Sequence, residues 1–336
     1  MKNLDKSLYS PSFSHVYIEK QAMNHPNTKK ILNHFSNAQI IEINHYKDIF
    51  SRSHQHYGLQ KKSPKLILAL KKDHLIYKGA EVCEDFGHPY FYYTSTMMNC
   101  IYDCEYCYLQ GMYTSANVVV FVNIEEIFGE VEKLLKKHPI YLCISYDTDI
   151  LAFENVIGYG REWMAFAQKH QNLTIELRTK SANFKAIQDI EPLENMILAW
   201  TVSPDPIIKK YENKTPFLKD RLISIKGALD RGWKVRLCFD PLLSIEEWQK
   251  HYKEMIKYTF SQVAAEKIYD ISIGVFRVSK DYLKRMRKQR GESLLLSYPF
   301  ETQNGISSYD VQQTQKMINH VYQWTANYVS KEKIYI

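Results

Sequence analysis

Long apolar runs are absent from this 336-residue sequence. A transmembrane helix needs about 20 consecutive apolar residues, so we expect no membrane span and no membrane partner. The first 15 residues also lack the apolar stretch of a secretory signal peptide, so we expect a cytoplasmic protein. Six cysteines do not suggest the disulfide framework of a small secreted domain. In a reducing compartment, a tight cysteine cluster instead favours metal or redox chemistry.

A large excess of one charge is also absent, because the formal net charge is only +7. The positive charge is uneven: residues 1–80 hold 13 Lys and Arg against 5 Asp and Glu, and the remaining residues hold 31 against 32. A basic segment can bind a polyanion by releasing counterions, or it can be an ordinary solvated surface rich in lysine. Charge alone does not decide between these two interpretations.

Glycine and proline are scarce, with 12 and 11 residues, and no repeat stands out. From about residue 90, short β-branched or aromatic runs alternate with segments that carry apolar residues at helical spacing. This alternation predicts an α/β protein with a parallel sheet, because parallel strands need long crossover connections. Six units suit a partial (β/α)6 TIM-like barrel. The predicted strands are Tyr90–Thr96, Ile140–Ser145, Thr174–Arg178, Ile197–Val202, Val235–Phe239 and Ile271–Phe276.

The pattern divides the chain into three segments. Residues 1–89 fit no βα unit and are predicted to form a basic N-terminal α+β extension, with a helix near Asn27–Phe35 and short strands at Lys65–Leu70 and His74–Tyr77. Residues 90–307 are predicted to form the partial barrel. Residues 308–336 are predicted to form a C-terminal helix, Val311–Tyr328, and a short final strand.

Three cysteines lie close together just after the first predicted barrel strand. Cys100, Cys104 and Cys107 have the spacing C-x3-C-x2-C, and cysteine thiolates are the usual ligands of iron–sulfur clusters. Three ligands leave one iron of a 4Fe–4S cluster open, and that iron can chelate the amino and carboxylate groups of S-adenosylmethionine. The alternatives are a zinc site, which usually needs a fourth ligand, or three buried thiols. The position at the carboxyl end of a barrel strand favours an active site.

The motif and several other segments resemble the spore photoproduct lyase family of radical S-adenosylmethionine enzymes. The similar segments are CIYDCEYCYLQG followed by VVVFVNIEEIF, HVYIEKQAM near the start, and TDILAFE, RTK and DRLISIKGALDRGWKVRLCFDPL further on. The resemblance implies a barrel of the radical S-adenosylmethionine type. It also implies a DNA repair lyase that returns the spore photoproduct, 5-thyminyl-5,6-dihydrothymine, to two thymines through a 5′-deoxyadenosyl radical. The implied cofactors are a 4Fe–4S cluster and S-adenosylmethionine, and the implied partners are UV-damaged DNA and an electron donor such as flavodoxin or ferredoxin.

The resemblance also assigns roles to individual residues. Tyr106 and Tyr108 flank Cys107 where the family has two tyrosines of a radical relay. Lys180 matches a lysine that binds the carboxylate of the cofactor. Thr148 and Thr201 stand where the family has serines, and a hydroxyl can donate a hydrogen bond to a carboxylate. The alternatives are a surface lysine, strand packing by the threonines, and tyrosines that only line the loop.

One position departs from the family pattern. The donor cysteine that returns a hydrogen atom to the product is replaced by Tyr146, and the nearest cysteine is Cys143. An odd shift along a strand places Cys143 on the opposite face, where it is predicted to be a core residue. Either a tyrosine donates the hydrogen, or the chain acts on a different nucleic-acid or small-molecule substrate. A DNA-binding iron–sulfur redox sensor without catalysis is a third possibility.

A basic stretch follows the last predicted barrel strand. Its six candidate DNA contacts are Arg277, Lys280, Lys284, Arg285, Arg287 and Lys288. On a helix these residues would present a basic face to phosphates, although a run of charge is also typical of a solvated helix. Arg221 opens a predicted helix, where it could hold the cofactor or a phosphate, or could have a purely structural role.

Overall fold

A computed structural model describes residues 11–80 and 82–336 of the chain. The chain divides into two compact units. Residues 11–80, 82–101 and 112–178 form the N-terminal unit, and residues 102–111 and 179–336 form the C-terminal unit. Within the described ranges, no helix has both the length and the apolar character needed to cross a bilayer.

The first sheet of the N-terminal unit is built from residues before and after the cysteine motif. Its strands lie in the order Gln39–Ile43, His15–Glu19, Leu66–Ala69, Val118–Phe121 and Met97–Met98. The first four strands are parallel, and Met97–Met98 is antiparallel to its neighbour. Strand Val118–Phe121 therefore joins the N-terminal segment to the chain that follows the motif.

The N-terminal unit contains a second ladder. Tyr77–Lys78 pairs antiparallel with Phe91–Tyr93, which pairs parallel with Ile140–Cys143, and that strand pairs parallel with Leu173–Thr179. The α-helices of this unit are Pro26–Leu32, Lys47–Phe50, Tyr57–Lys62, Ile124–Leu135, Ile150–Ile157 and Tyr159–Gln168, with a 3-10 turn at Lys20–Ala22.

Helix Ile150–Ile157 shows how local sequence sets an element boundary near the site. Asp149 caps its start, because the carboxylate accepts a hydrogen bond from the Ala152 amide at 3.1 Å. Gly158 ends the helix with a φ of +71°, a left-handed conformation that glycine adopts without steric cost. Asp149 therefore fixes where the loop after strand Ile140–Cys143 ends, and Gly158 fixes where the helix ends.

The core of the first sheet is apolar and closely packed. Phe50, Ile67, Ala69, Val119 and Phe121 form one buried cluster. Burial of large apolar side chains contributes about 1.5–3 kcal/mol each, so this cluster stabilises the sheet around strand Val118–Phe121.

The C-terminal unit has a parallel ladder and two small sheets. The ladder runs Met196–Thr201, Lys234–Leu242, Asp270–Val275 and Ile334–Tyr335. Asp103–Cys104 pairs antiparallel with Glu212–Asn213, and Ile306–Ser308 lies between Arg277–Ser279 and Glu301–Gln303. The α-helices are Leu109–Met112, Asp205–Tyr211, Leu218–Arg231, Trp248–Gln262, Lys280–Gln289 and Val311–Thr325; 3-10 turns lie at Phe184–Ala186, Ala265–Lys267 and Lys331–Lys333.

The structure confirms the α/β prediction, and all six predicted barrel strands are present in parallel ladders. In the N-terminal segment, the helix is present as Pro26–Leu32 and the first predicted strand as Leu66–Ala69. The second predicted strand is reduced to Tyr77–Lys78, and strands His15–Glu19 and Gln39–Ile43 were not predicted. The part of the predicted extension in residues 1–10 lies outside the described residues.

Candidate active site

The cysteine loop of the C-terminal unit is held by backbone hydrogen bonds. Cys104 lies opposite Glu212 in the two-stranded pairing, and the Glu105 amide donates to the Tyr211 carbonyl at 2.8 Å. The Cys107 amide donates to the Cys104 carbonyl at 3.1 Å, which closes a tight turn between the two cysteines. None of the six cysteines of the chain is in a disulfide bond. The segment from Cys104 to Cys107 therefore forms a turn that is fixed by hydrogen bonds.

A buried carboxylate, Glu212, lies against this loop. Glu212 accepts hydrogen bonds from the Tyr106 hydroxyl, from the Ser203 hydroxyl at 2.9 Å, and from Arg221. Glu212 is 1% exposed and Tyr106 is 6% exposed. Burial alone would raise the pKa of Glu212, but Arg221 and Lys180 lower it to about 2. Glu212 is therefore a permanent anion that fixes the tyrosine beside Cys107.

The guanidinium of Arg221 is completely surrounded by protein partners. Besides Glu212, it donates to the Thr201 carbonyl at 3.1 Å, to the Pro216 carbonyl at 3.0 Å and to the Thr215 hydroxyl at 2.8 Å. Because Arg221 is 0% exposed and its donors are engaged, the geometry favours a structural role rather than the contact with a cofactor or phosphate that its helix-start position suggested.

Lys180 lies next to the same loop. Its Nζ atom is 5.4 Å from the centroid of the Tyr106 ring. Burial by itself would lower the pKa of Lys180, but the charges of Cys104 and Glu212 outweigh it, and the net pKa is raised. Lys180 therefore stays an ammonium ion, and it remains partly exposed. Such a group can pair with a carboxylate.

The other two predicted residues of this unit have less distinctive surroundings. Tyr108 is partly exposed, and its carbonyl accepts a hydrogen bond from the Gly111 amide at 2.8 Å. Thr201 is buried at the carboxyl end of strand Met196–Thr201, and its carbonyl binds Arg221.

The basic helix Lys280–Gln289 packs against the cysteine loop. Arg285 Nε donates to the Gly111 carbonyl at 2.5 Å, and Arg290, just after the helix, binds Asp103 and donates to Gln110 Oε1 at 2.9 Å. The approach at Gly111 is so close that a Cβ there would lie 2.6 Å from a backbone oxygen of the helix. Part of the basic stretch therefore braces the loop.

The remaining basic residues divide into two groups. Arg277 forms an ion pair with Asp240 at 3.1 Å, and Arg287 donates to the carbonyls of Leu296 and Tyr298, each at 2.7 Å. Three exposed lysines lie at four-residue spacing and share one helix face, which we call the lysine face: Lys280, Lys284 and Lys288.

In the N-terminal unit, the residue before the first cysteine is conformationally unusual. Asn99 has a φ of +65°, and its side-chain amide donates to the carbonyls of Ser115 and Asn117 at 2.7 and 2.8 Å. Thr148 donates to the Asn99 carbonyl at 3.0 Å, and the Cys100 carbonyl accepts from Lys61 at 2.5 Å. Side-chain hydrogen bonds therefore fix a left-handed turn directly before Cys100.

Several buried polar atoms near this turn are able to form further hydrogen bonds. Among the described residues, Thr96 Oγ1, Asn99 Oδ1 and Ser145 Oγ are buried without a hydrogen-bond partner. Segments 95–99 and 147–148 are in contact, because Ser95 binds Asp147 and Thr148 binds Asn99. Buried polar groups normally have partners, so this region fits a polar ligand.

Tyr146 and Cys143 occupy different environments. The Tyr146 ring stacks on Tyr93 with centroids 4.1 Å apart, and its hydroxyl lies 3.7 Å from Cys83 Sγ. Cys143 is buried and donates to Glu176 Oε1 at 3.8 Å. Burial and the Glu176 charge raise the pKa of Cys143, so its thiol stays protonated.

Comparison with known protein families identifies the family of this chain. Residues 9–293 match the family model described as spore photoproduct lyase. The chain belongs to the spore photoproduct lyase family. A spore photoproduct lyase of Clostridium acetobutylicum is 23% identical over 253 residues, which are 73% of each chain.

Solved structures of spore photoproduct lyase share the fold. A cysteine-to-alanine, serine-to-cysteine double mutant with bound AdoMet and dinucleoside spore photoproduct has a TM-score of 0.82 and 16% identity. A complex of spore photoproduct lyase with the dinucleoside alone has a TM-score of 0.81 and the same identity. Each match covers 97% of this chain and 98% of the solved chain.

Within this spore photoproduct lyase family member, the residue that sequence patterns missed most clearly is Glu212. It lies 106 positions from Tyr106, so no local spacing links the two. Cys83 was missed for the same reason, since its contact with Tyr146 spans 63 positions. In the part of the chain that the structure describes, no three His, Cys, Asp or Glu side chains are already gathered as a metal site. The assignment of the cluster ligands therefore rests on the motif and the family.

Proposed function

We propose that this chain is a DNA repair lyase that reverses the spore photoproduct to two thymines by a radical reaction. The observation that carries the proposal is the match of residues 9–293 to the spore photoproduct lyase family, which includes the C-x3-C-x2-C motif. The solved relatives that bind AdoMet and the dinucleoside lesion support the same substrate and cofactor here. The partial (β/α)6 barrel and the segments 1–89, 90–307 and 308–336 remain part of the proposal.

The residues present fit a 4Fe–4S cluster and S-adenosylmethionine. Cys100, Cys104 and Cys107 would hold the cluster, and none of the three is in a disulfide bond. Lys180 supplies a positive charge beside Cys104, and orphaned polar atoms lie next to Cys100 and Thr148. When bound, the reduced cluster and S-adenosylmethionine together supply a 5′-deoxyadenosyl radical that removes a hydrogen atom from the lesion.

The chain's own side chains position the reactants. We assign Lys180 to the carboxylate of S-adenosylmethionine, with Thr148 and Thr201 as further polar contacts. Tyr106 is fixed by Glu212, and burial together with that anion raises its pKa, so the hydroxyl keeps its hydrogen at neutral pH. Tyr106 and Tyr108 remain candidates for a radical relay.

The lysine face is the part of the basic stretch best suited to bind DNA. Its three lysines are exposed, whereas Arg277, Arg285 and Arg287 make hydrogen bonds within the protein. Lysines of this kind contact phosphates without reading sequence. The electron donor, a flavodoxin or a ferredoxin, is also part of the proposal.

A second candidate function is a related radical reaction on a different nucleic-acid or small-molecule substrate. The observation that favours it is Tyr146, which stands where the family places the hydrogen-donor cysteine.

Anaerobic turnover tests the proposal. Reconstituted, reduced protein is incubated with S-adenosylmethionine and a dinucleotide that carries the lesion, and the products are separated by chromatography. We expect thymidylyl-thymidine to appear. Formation of 5′-deoxyadenosine without repair would instead support the second candidate.

A further inference from the structure

The reaction proposed above has a step for which the chain must supply a hydrogen atom. When the bond between the two thymines breaks, one fragment is left with a radical at its former methyl carbon. That carbon becomes a methyl group only by receiving a hydrogen atom from a group such as a thiol. The following inference rests on the proposed function and asks which thiol of this chain is the donor.

Cys83 lies in the segment between strands Tyr77–Lys78 and Phe91–Tyr93 and contacts the loop that follows strand Ile140–Cys143. Its Sγ atom is 3.7 Å from the hydroxyl oxygen of Tyr146, three residues after strand Ile140–Cys143. Tyr146 is held in turn by stacking on Tyr93, which lies opposite Cys143 in the ladder. A hydrogen bond of 2.9 Å from the Cys83 amide to the Ala80 carbonyl fixes the backbone. The thiol is therefore held against the loop in which Tyr146 replaces a cysteine.

The same strand end has room for a ligand to make hydrogen bonds. Ser145, directly before Tyr146, is only 7% exposed, and among the described residues its Oγ atom has no hydrogen-bond partner. Cys83 itself is partly exposed. The loop that contacts the partly exposed thiol of Cys83 therefore also carries a buried hydroxyl that is able to bind a ligand.

The other cysteines are less suited to the step. Cys143 is buried in the strand and its thiol is directed to Glu176, which also accepts hydrogen bonds from Tyr141 at 2.6 Å and from Arg178 at 3.0 Å. Cys238 is fully buried in strand Lys234–Leu242 of the other unit. The three motif cysteines are assigned to the cluster.

We propose that Cys83 is the hydrogen-atom donor and that Tyr146 is a positioning residue that holds its thiol. In the step, the S–H bond of Cys83 breaks and a C–H bond forms at the thymine methylene carbon, which completes the methyl group. The sulfur radical left on Cys83 takes a hydrogen atom from a low-molecular-weight thiol, and two radicals of that thiol couple to a disulfide. Burial and the Cys83 contact raise the pKa of Tyr146, which keeps its hydroxyl protonated and able to donate to sulfur.

The test is turnover of the lesion dinucleotide in deuterium oxide by the holoprotein and three variants, with Tyr90→Phe as a matched control. Tyr90 is exposed and stacks on His138, so its variant also removes one phenol hydroxyl. In the starting protein we expect deuterium in the restored methyl group, because a thiol exchanges with solvent. Cys83→Ser should lose this deuterium and reduce restored product per 5′-deoxyadenosine by roughly tenfold or more, with side products in its place. Tyr146→Phe should have a milder effect.

The outcomes separate this inference from the proposed function. No lesion loss in the starting protein would contradict the proposed function. Repair by the starting protein with Cys83→Ser unchanged would overturn only the inference. A larger loss in Tyr146→Phe would make the phenol the donor, and a loss confined to Cys143→Ser would make that thiol the donor; both results overturn the assignment to Cys83.

A second measurement does not depend on turnover. Alkylation of Cys83 is followed by mass spectrometry in unreduced holoprotein, with and without the lesion dinucleotide. We expect the dinucleotide to protect Cys83 from alkylation. Equal alkylation of Cys83 in both samples would contradict its place beside the substrate.

Discussion

Replacement of Glu212 by Gln tests the buried ion pair under the cysteine loop. The substitution keeps the size of the side chain but removes the charge opposite Arg221, and both residues are 0% exposed at their side chains. Removal of one partner of a buried pair costs about 3–5 kcal/mol, because the remaining charge is buried without compensation. The pKa of Glu212 leads to a similar figure: a decrease from 4.5 to about 2 corresponds to roughly 3 kcal/mol. We therefore expect Glu212→Gln to lower the free energy of unfolding of the C-terminal unit by about 3 kcal/mol.

Urea unfolding followed by tryptophan fluorescence is the assay. Four of the five tryptophans lie in residues 179–336, so the signal reports mainly on the C-terminal unit. With a slope of about 1–3 kcal/mol per molar urea, the midpoint should decrease by roughly 1 M or more. The control is Glu191→Gln, which removes an exposed partner of Arg231 and should change stability by less than about 1 kcal/mol.

The stability contribution of Glu212 should also depend on pH in a defined direction. Because the folded pKa of Glu212 is lowered, its contribution is complete above about pH 4.5 and is lost as the pH falls towards 2. The stability difference between the starting protein and Glu212→Gln should therefore shrink over that interval. The reasoning would be refuted if Glu212→Gln had the same urea midpoint as Glu191→Gln at neutral pH. It would also be refuted if the stability difference between the starting protein and Glu212→Gln did not depend on pH.

Two further predictions concern the basic helix. Gly111→Ala should destabilise the protein by about 1–3 kcal/mol and lower the iron retained after reconstitution, because the helix must move away from the new Cβ. The control is Gly129→Ala, where the new Cβ meets nothing within 4 Å; it should be neutral or stabilising by about 0.5–1 kcal/mol. Equal changes of stability in the two variants would contradict the role of the basic helix in bracing the cysteine loop. Replacing the whole lysine face by Gln should lower the slope of log affinity against log salt for duplex DNA by about 2–3, measured by fluorescence anisotropy. The control is Gln at Lys250, Lys253 and Lys257, which are exposed on another helix; an equal change there would contradict a specific DNA face.

Features with a local signature could be predicted from the sequence. Alternating short apolar runs located strands of the parallel ladders, such as Ile140–Cys143 and Asp270–Val275, because each strand is buried and follows a helical segment. The cysteine spacing and the tyrosine within it located the candidate cluster site. These signals lie within a few residues of one another, so no knowledge of the fold is needed to detect them.

Features that depend on distant residues could not be predicted. Strand Gln39–Ile43 is largely exposed, and it forms only because His15–Glu19 lies beside it. The carboxylate of Glu212 has no neighbouring motif, and its partners come from separate parts of the chain. The basic stretch looked uniform in sequence, yet in the fold some of its arginines form hydrogen bonds within the protein, whereas the lysines of the lysine face are exposed.

The most direct test of the central claim uses DNA that contains both the spore photoproduct and cyclobutane thymine dimers. Reduced, reconstituted protein is incubated with this DNA and S-adenosylmethionine, and each lesion is quantified by mass spectrometry after digestion. We predict that the spore photoproduct disappears, two thymines are restored for each lesion lost, and the cyclobutane dimers remain. Unchanged levels of the spore photoproduct, with 5′-deoxyadenosine formed, would contradict the claim that this lesion is the substrate.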